Sequence, residues 1–469
     1  EEVGVMIDLE RIPLKYEGLS PAEIWISEAQ ERMIFSVPPE HRQKALDVFE
    51  AEGSEATIIG RFTGDHALTL RYDGQIVAEL PMEFLHDGLP KEERDAVWVE
   101  PTLAEPAPET PEDGDWGDAL REILSMPNVA SKEWIIRQYD HEVQGLTVVK
   151  PLVGVREDGP GDAVVATVDP GGTRGIVVSC GMNPHYGDLD PYEMAAASID
   201  EAVRNSVAVG AKLERIALLD NFSWGITDKP DRLGAMVLAC RACYDVARIY
   251  GTPFISGKDS LNNEYTTDKG NICIPHTLLV SAVSVIDDVR RAVTMDLKAR
   301  ENLIFLVGRT RNELGGSHLY LRRGETGANV PKVRPEEAVR TYRGLADAME
   351  RGLVRSCHDL SEGGLAVALA EMAFAGNLGV GMDLSEVPHD PDAARDEVLL
   401  FSETQSRFLV EVAPSDEPAF RAAMERATVA RIGDVNQTGR LLVRGVGGGI
   451  VLDESVEDLR EAFLRTFQW

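Results

Sequence analysis

The sequence predicts an α+β protein assembled from repeated units, and three observations carry that expectation. At 469 residues the chain is too long for one hydrophobic core, so roughly three domains are expected. Short β-branched runs alternate with longer amphipathic segments. The frame Ser-Glu-x-Gln-x-Arg occurs twice, in "ISEAQERM" (residues 26–33) and in "FSETQSRF" (residues 401–408). The surroundings repeat too: an apolar stretch ("IFSV", "LVEV"), a helical pattern ("EHRQKALDVFEAEG", "EPAFRAAMERA"), then Ile59-Gly60 or Ile432-Gly433, a turn and a further strand. Shared order and punctuation indicate two copies of one domain.

The elements follow from pattern. Residues 1–100 hold the first copy, entered through the strand-like "GVMIDL". Residues 101–126 read as an acidic, Pro-rich linker, because 101–115 contain four prolines and five acidic residues with little to bury. Residues 127–297 form the next domain. Strands are expected at 163–168, 175–180 and 216–221 and in "PFISG" and "TLLVSAVSVI"; helices at 192–210 and 233–250 end at Gly210 and at Gly251 with Pro253. Residues 298–469 begin with the strand "NLIFLVG", contain the second copy and finish in a helix.

Composition narrows the function. With 43% apolar and 27% charged residues and no apolar run near the roughly 18 residues of a membrane span, no membrane role is expected. The net charge of −32 argues against nucleic acid as a partner, since phosphate backbones require a basic surface. A small phosphorylated ligand remains compatible if divalent cations mediate. Five scattered cysteines read as reduced thiols, and with no secretory pattern a cytoplasmic protein is expected. Cys240 and Cys243 form a CxxC inside a helical pattern, where core packing is the better reading. The start without methionine, so close to a repeat copy, suggests the back part of a longer protein.

Several carboxylates are hard to explain as surface. Asp162 follows a Gly-Pro-Gly turn into a strand, Glu201 and Asn205 lie four apart on one helix face, and Asp359 ends the strand-like "VRSCHD". Ser361-Glu362-Gly363-Gly364 then opens an apolar helix whose N–H groups suit a phosphate. A hard cation held by Asp162, Glu201, Asn205 and Asp359 would bridge to that phosphate; the alternative is a Ser361 N-cap and a solvated Glu201. "SGKDSLNNEY" (256–265) lacks the Walker A spacing, but Gly-Lys-Asp-Ser at a strand end is a plausible anion contact, with Asp220 on the neighbouring rim, or else a polar turn. "HEVQG" lacks a second zinc-binding histidine, and "GVGGGI" reads as a hairpin turn.

Together "SEAQERM", "GPGDAVV", "GMNPHYGDLDPYEMAAASIDEAVRN", "LLDNFSWG", "SGKDSLNNEY", "HDLSEGGLAVALAEMAF" and "FSETQSR" resemble, in order, the phosphoribosylformylglycinamidine synthase family of the aminoimidazole ribonucleotide synthetase superfamily. The resemblance implies tandem halves packed as a pseudo-dimer, of which this chain holds one N-terminal-type and two C-terminal-type domains. It implies ATP-dependent conversion of formylglycinamide ribonucleotide and glutamine-derived ammonia to formylglycinamidine ribonucleotide, ADP and phosphate. It further implies substrate contacts at Glu28, Ala29 (serine in the family), Gln30 and Ser260, and ATP contacts at Asp220 and Gly257. Mg²⁺ ligands are implied at Asp162, Glu201, Asn205 and Asp359, with Gly161 and Ser361 beside a second ATP/ADP site. Lys258 stands where shorter members carry a metal-binding asparagine, and a lysine would not ligate Mg²⁺. Gly181 and Met182 occupy the position of the family's catalytic histidine motif, and His185 is out of alignment with it. The expected partners are the missing first-half domain and a glutaminase subunit or domain, and the fragment alone is expected to be inactive. The competing reading is a nucleotide-stabilised structural half without catalysis. A selenophosphate-type synthetase is disfavoured by the tandem repeat.

Overall fold

The computed structural model describes residues 3–111 and 114–467, and the chain divides into two compact units, Glu1–Glu93 and Arg94–Trp469. In the smaller unit four strands pair in the order Gly60–Thr63, Gly4–Asp8, Ala67–Tyr72, Gln75–Pro81. Its core is small: Ile7, Leu9, Ile24, Leu68 and Leu70.

The larger unit has two sheets. A six-stranded sheet runs Phe254–Ser260, Ala217–Ser223, Thr277–Ile286, Gly175–Gly181, Val164–Thr167, Thr147–Val149. The helix Pro191–Ala208 packs on it and on the helix Pro230–Tyr250. A seven-stranded sheet runs Ser356–Asp359, Phe408–Val412, Leu303–Val307, Val429–Asn436, Gly379–Asp383, Arg440–Arg444, Ile450–Ser455. All thirteen residues of the helix Gly364–Gly376 are buried, as a helix apolar on every side must be. No helix among the described residues is long and apolar enough to cross a membrane.

The repeat is structural as well as textual. "GVMIDL" and "GVGMDL" form Gly4–Asp8 and Gly379–Asp383, each followed by a 3-10 turn. Each pairs antiparallel with the strand carrying Ile-Gly and parallel with the next, placing Ile7 opposite Gly60 and Met382 opposite Gly433. A Cβ at Gly60 would stand 2.2 Å from the Met6 carbonyl oxygen, and one at Gly433 would stand 2.3 Å from that of Gly381, so both crossings require glycine. Asp8 pairs with Arg71 at 3.2 Å, and Asp383 with Arg444 at 3.8 Å. Arg32 donates to the Ser27 carbonyl and Arg407 to that of Ser402, with Glu31 and Ser406 both at φ 62°.

Three expectations differ. The stretch assigned to the linker contains the helix Gly117–Leu124, whose Leu120, Ile123 and Leu124 are buried in the larger unit. Its extended part is not free in solvent: Glu105 accepts from the Asn329 and Ala328 N–H groups, and Glu109 pairs with Arg322 and Arg323. Residues 112 and 113 of that stretch lie outside the described residues. "LVEV" is a central strand, whereas "IFSV" forms none. Cys240 is exposed, so only Cys243 of the CxxC packs against the core.

Candidate functional site

The Asp190 carboxylate caps the helix Pro191–Ala208 by accepting from the Tyr192 and Glu193 N–H groups, which fixes the faces of Asp200, Glu201, Arg204 and Asn205. The strand Ser356–Asp359 brings His358 and Asp359 beside Asp162, so that Asp162, His358 and Asp359 each offer a ligand atom within 4.8 Å of the others. Asp162 Oδ1 accepts from His358 Nδ1 (2.8 Å) and from the Asp359 N–H (3.0 Å). His358 Nε2 lies 3.0 Å from Glu371 Oε2. Burial alone would keep the imidazole neutral, yet contact with Asp162 and Glu371 raises its pKa well above the ordinary value, so it stands as an imidazolium between two carboxylates.

Arg204, fully buried, donates from Nε to Asp359 Oδ2 (2.9 Å), and it also holds Asp200 and the Gln405 side-chain oxygen. Asp200 in turn accepts from Tyr250, Tyr342 and Ser406. Glu201 Oε2 accepts from the Met182 N–H (2.9 Å) and Asn183 Nδ2 (2.8 Å). Burial, then the charges of Glu362 and Asp359, raises its pKa well above the carboxylate range against the opposing Arg204. Burial raises Asp359 to about 6, with Arg204 opposing.

Each of the three carboxylates therefore has one oxygen engaged in hydrogen bonds, whereas the Asn205 amide is engaged through its nitrogen. Among the described residues Asp162 Oδ2 and Glu201 Oε1 accept no hydrogen bond, Asp359 Oδ1 has only a 3.8 Å ion-pair contact with His358 Nδ1, and Asn205 Oδ1 is buried without a partner while its Nδ2 donates to the Cys180 carbonyl (3.1 Å). An orphaned amide oxygen and carboxylates that ionise against their surroundings fit a hard divalent cation, which takes oxygen ligands. His358 has both ring nitrogens occupied, so it positions Asp162 from behind. Glu201 stands outside the 4.8 Å group, within electrostatic reach of Asp359.

Ser361 does not cap the following helix. The residue before Gly364 is Gly363 in the left-handed region (φ 75°), and its N–H donates to Glu403 Oε1 (2.8 Å). Glu403, from the second repeat copy, also accepts from the Tyr186 hydroxyl (2.6 Å) and from the His318 backbone and ring. Gly161 directly precedes Asp162, and its N–H donates to the Pro151 carbonyl (2.9 Å).

Asp220 and Gly257 form a second group. Their strands run parallel with these residues in register, and a Cβ at Gly257 would stand 2.2 Å from Asp220 Oδ1. Burial, then Asp259, raises the Asp220 pKa. Ser260 ends the same edge strand and accepts from Lys258 Nζ. Glu28, Ala29 and Gln30 are exposed in the smaller unit. Sequence reasoning missed His358 and Arg204, although both stand inside the quoted motifs: His358 directly precedes Asp359, and Arg204 lies between Glu201 and Asn205.

Comparison with known proteins agrees with this architecture. The AIR synthase related protein C-terminal domain matches residues 1–73 and 299–445, and the corresponding N-terminal domain matches residues 160–279. The chain belongs to the AIR synthase related family. It is 37% identical over 407 residues to phosphoribosylformylglycinamidine synthase subunit PurL of Thermococcus gammatolerans, covering 87% of this chain and 54% of that one. It is 33% identical over 481 residues to the Alkaliphilus metalliredigens PurL subunit, covering 100% and 61%. The chain thus spans little more than half the length of the curated relatives it matches. Among solved structures, T. maritima PurL complexed with FGAR aligns with a TM-score of 0.57 at 18% identity over 73% of this chain and 53% of that one. The ATP complex aligns at 0.55 and 20% identity over 93% and 60%. At these identities the structures speak for the fold.

Proposed function

We propose that this chain supplies part of an ATP-dependent ligase that converts formylglycinamide ribonucleotide, ATP and ammonia to formylglycinamidine ribonucleotide, ADP and phosphate. Kinship with PurL subunits supports the reaction class, and relatives solved with FGAR, with ATP and as a PurLQS assembly support the ligands and a glutaminase partner. The observation that carries the reading is that, among the described residues, Asp162, Glu201, Asn205 and Asp359 each keep one side-chain oxygen that accepts no hydrogen bond.

These four residues would hold Mg²⁺, which supplies charge neutralisation between carboxylates and nucleotide phosphates. Arg204 orients Asp359, and His358 orients Asp162. Gly161, next to Asp162, and Ser361, two residues after Asp359, are assigned to the nucleotide on this reading. Asp220 and Gly257 provide a second nucleotide contact, and Ser260 a contact for the ribonucleotide; in the smaller unit, taken by itself, Glu28, Ala29 and Gln30 carry the same assignment.

Calorimetric titration with ADP, with and without Mg²⁺, tests this. Tight binding should require Mg²⁺ and fall about a hundredfold or more in Asp359→Asn, as expected when a ligand of a divalent ion is lost. Magnesium-independent ADP binding, unchanged by that substitution, would refute the site. A nucleotide-stabilised structural half is the competing reading, because Arg204 ties Asp359 to Asp200 and Gln405 across three segments. Asp220→Ala in the full-length enzyme separates the two: a lowered turnover supports the ligase wall, and unchanged turnover with unchanged ATP affinity supports the scaffold.

A further inference from the structure

A cavity of about 270 Å³ opens where residues 308–311, the start of the helix Pro335–Glu350 and residues 405–406 and 426–428 meet. Its lining carries six cations, Arg309, Arg311, Lys332, Arg334, Arg340 and Arg426, against one carboxylate, Glu337. That concentration runs counter to the whole chain, where 79 acidic residues face 47 basic ones.

Three of the cations are held in place. Arg309 donates to the His389 carbonyl (3.0 Å), Arg311 to Glu337 (2.8 Å), and Arg334 to Glu313 (2.8 Å) and to the Lys332 carbonyl (2.9 Å). The other three, Lys332, Arg340 and Arg426, form no ion pair among the described residues. The floor is already committed: Gln405 is bonded to Arg204 and to the Glu403 carbonyl, and the Ser406 hydroxyl to Asp200. Recognition therefore falls to the cations, with the dipole of the sixteen-residue helix adding positive potential at its start. Like charges gathered around a concavity raise the energy of the empty protein, and an uncompensated break of this kind marks a functional site more often than a structural one.

We propose that this cavity binds the phosphate of a small phosphomonoester. Arginine forks match phosphate oxygens in pairs, and a dianion offsets the repulsion that Lys332, Arg340 and Arg426 otherwise exert on one another. Its volume lies just below the roughly 300–1,000 Å³ of small-molecule sites, which suits a sugar phosphate. A polynucleotide is repelled by the chain's charge of −32. This site uses none of the residues assigned above to nucleotide or Mg²⁺, so it stands apart from that reading.

The test is titration of the intact chain with ribose 5-phosphate, inorganic phosphate, ribose and citrate, at low and at high salt, read by calorimetry and thermal shift. Ribose 5-phosphate should bind saturably, more tightly than inorganic phosphate or citrate, and more weakly at high salt; ribose should not bind. The double variant Arg340→Glu, Arg426→Glu should weaken binding by about a hundredfold, two charge-assisted contacts being removed, while its ligand-free Tm equals or exceeds that of the parent. Both side chains are exposed, and the single variants Arg340→Gln and Arg426→Gln keep the measurement readable should the double variant fail to fold. Absence of saturable binding, equal affinity for inorganic phosphate or citrate, or undiminished binding by the variants would each overturn the proposal.

Discussion

Glu193 lies in the first turn of the helix Pro191–Ala208, where burial and then the neighbouring Asp190 push its carboxyl up to about 7 against the opposing charge of Lys332. A carboxyl whose folded pKa exceeds its unfolded value contributes stability while protonated and loses it as pH rises through the folded pKa. The chain should therefore lose stability between about pH 4.5 and about pH 7 through this one group, by ~3 kcal/mol. Glu193→Gln should abolish that slope and raise the Tm at pH 8, which melts of both proteins across the pH range would check; parallel curves would exclude the assignment. At Gly257 the argument is steric. A methyl group 2.2 Å from Asp220 Oδ1 must displace the carboxylate or bend the edge strand, so Gly257→Ala should cost about 1–3 kcal/mol in denaturant melts. Residue identity made Asp162 and Asp359 legible in the sequence, because carboxylates beside glycine turns have few bland explanations. His358 and Arg204 were not legible, since the carboxylates that complete their surroundings, Asp162 and Asp359, lie more than 150 residues away from them in the chain.

At the scale of elements, alternation and stop signals located the regular structure well: "TLLVSAVSVI" is the strand Thr277–Ile286, and the helix expected to end at Gly251 does, with Gly251 in the left-handed region. The apolar stretches "IFSV" and "LVEV" differ in outcome, because a strand exists only where a neighbour supplies hydrogen bonds. Phe408–Val412 lies between Leu303–Val307 and Ser356–Asp359, while Ile34 and Phe35 belong to no strand and are 82% and 61% exposed, Phe35 meeting the Phe49 ring edge-on. The two Ser-Glu-x-Gln-x-Arg turns share one backbone shape in opposite surroundings. Arg407 is fully buried and donates to the Thr404 carbonyl (2.8 Å), the Thr310 hydroxyl (2.9 Å) and the Ser402 carbonyl. Arg407→Ala strands those acceptors and should cost about 3–5 kcal/mol. The exposed Arg32, making the equivalent turn bond, should tolerate alanine within about 0.5 kcal/mol. Equal losses in the two variants would mean that the turn, rather than its burial, sets the energy.

For the whole molecule, the sequence announced repeated domains but placed their boundary by composition, and composition misjudged the acidic stretch. Proline and carboxylates lack apolar area, yet Glu105 and Glu109 fasten that stretch to N–H groups and arginines of the larger unit, which no local pattern reveals. The two units also differ greatly in what they bury. The larger has a continuous core running from Trp116 to Phe463, whereas the smaller closes over five buried apolar side chains and leaves Met33, Ile34, Phe35 and Phe62 more than half exposed. A domain of about 90 residues with so little apolar area removed from water barely offsets the conformational entropy of ordering it. Cooperative opening should therefore begin there. In calorimetry the chain should show two transitions, a small one at lower temperature and a large one above it. In amide exchange the backbone of residues 33–58 should exchange within the earliest time points, while Gly364–Gly376, buried along its whole length, should be among the last to exchange. A single calorimetric transition, with both segments protected alike, would show that the smaller unit draws its stability from more than the five side chains at its centre.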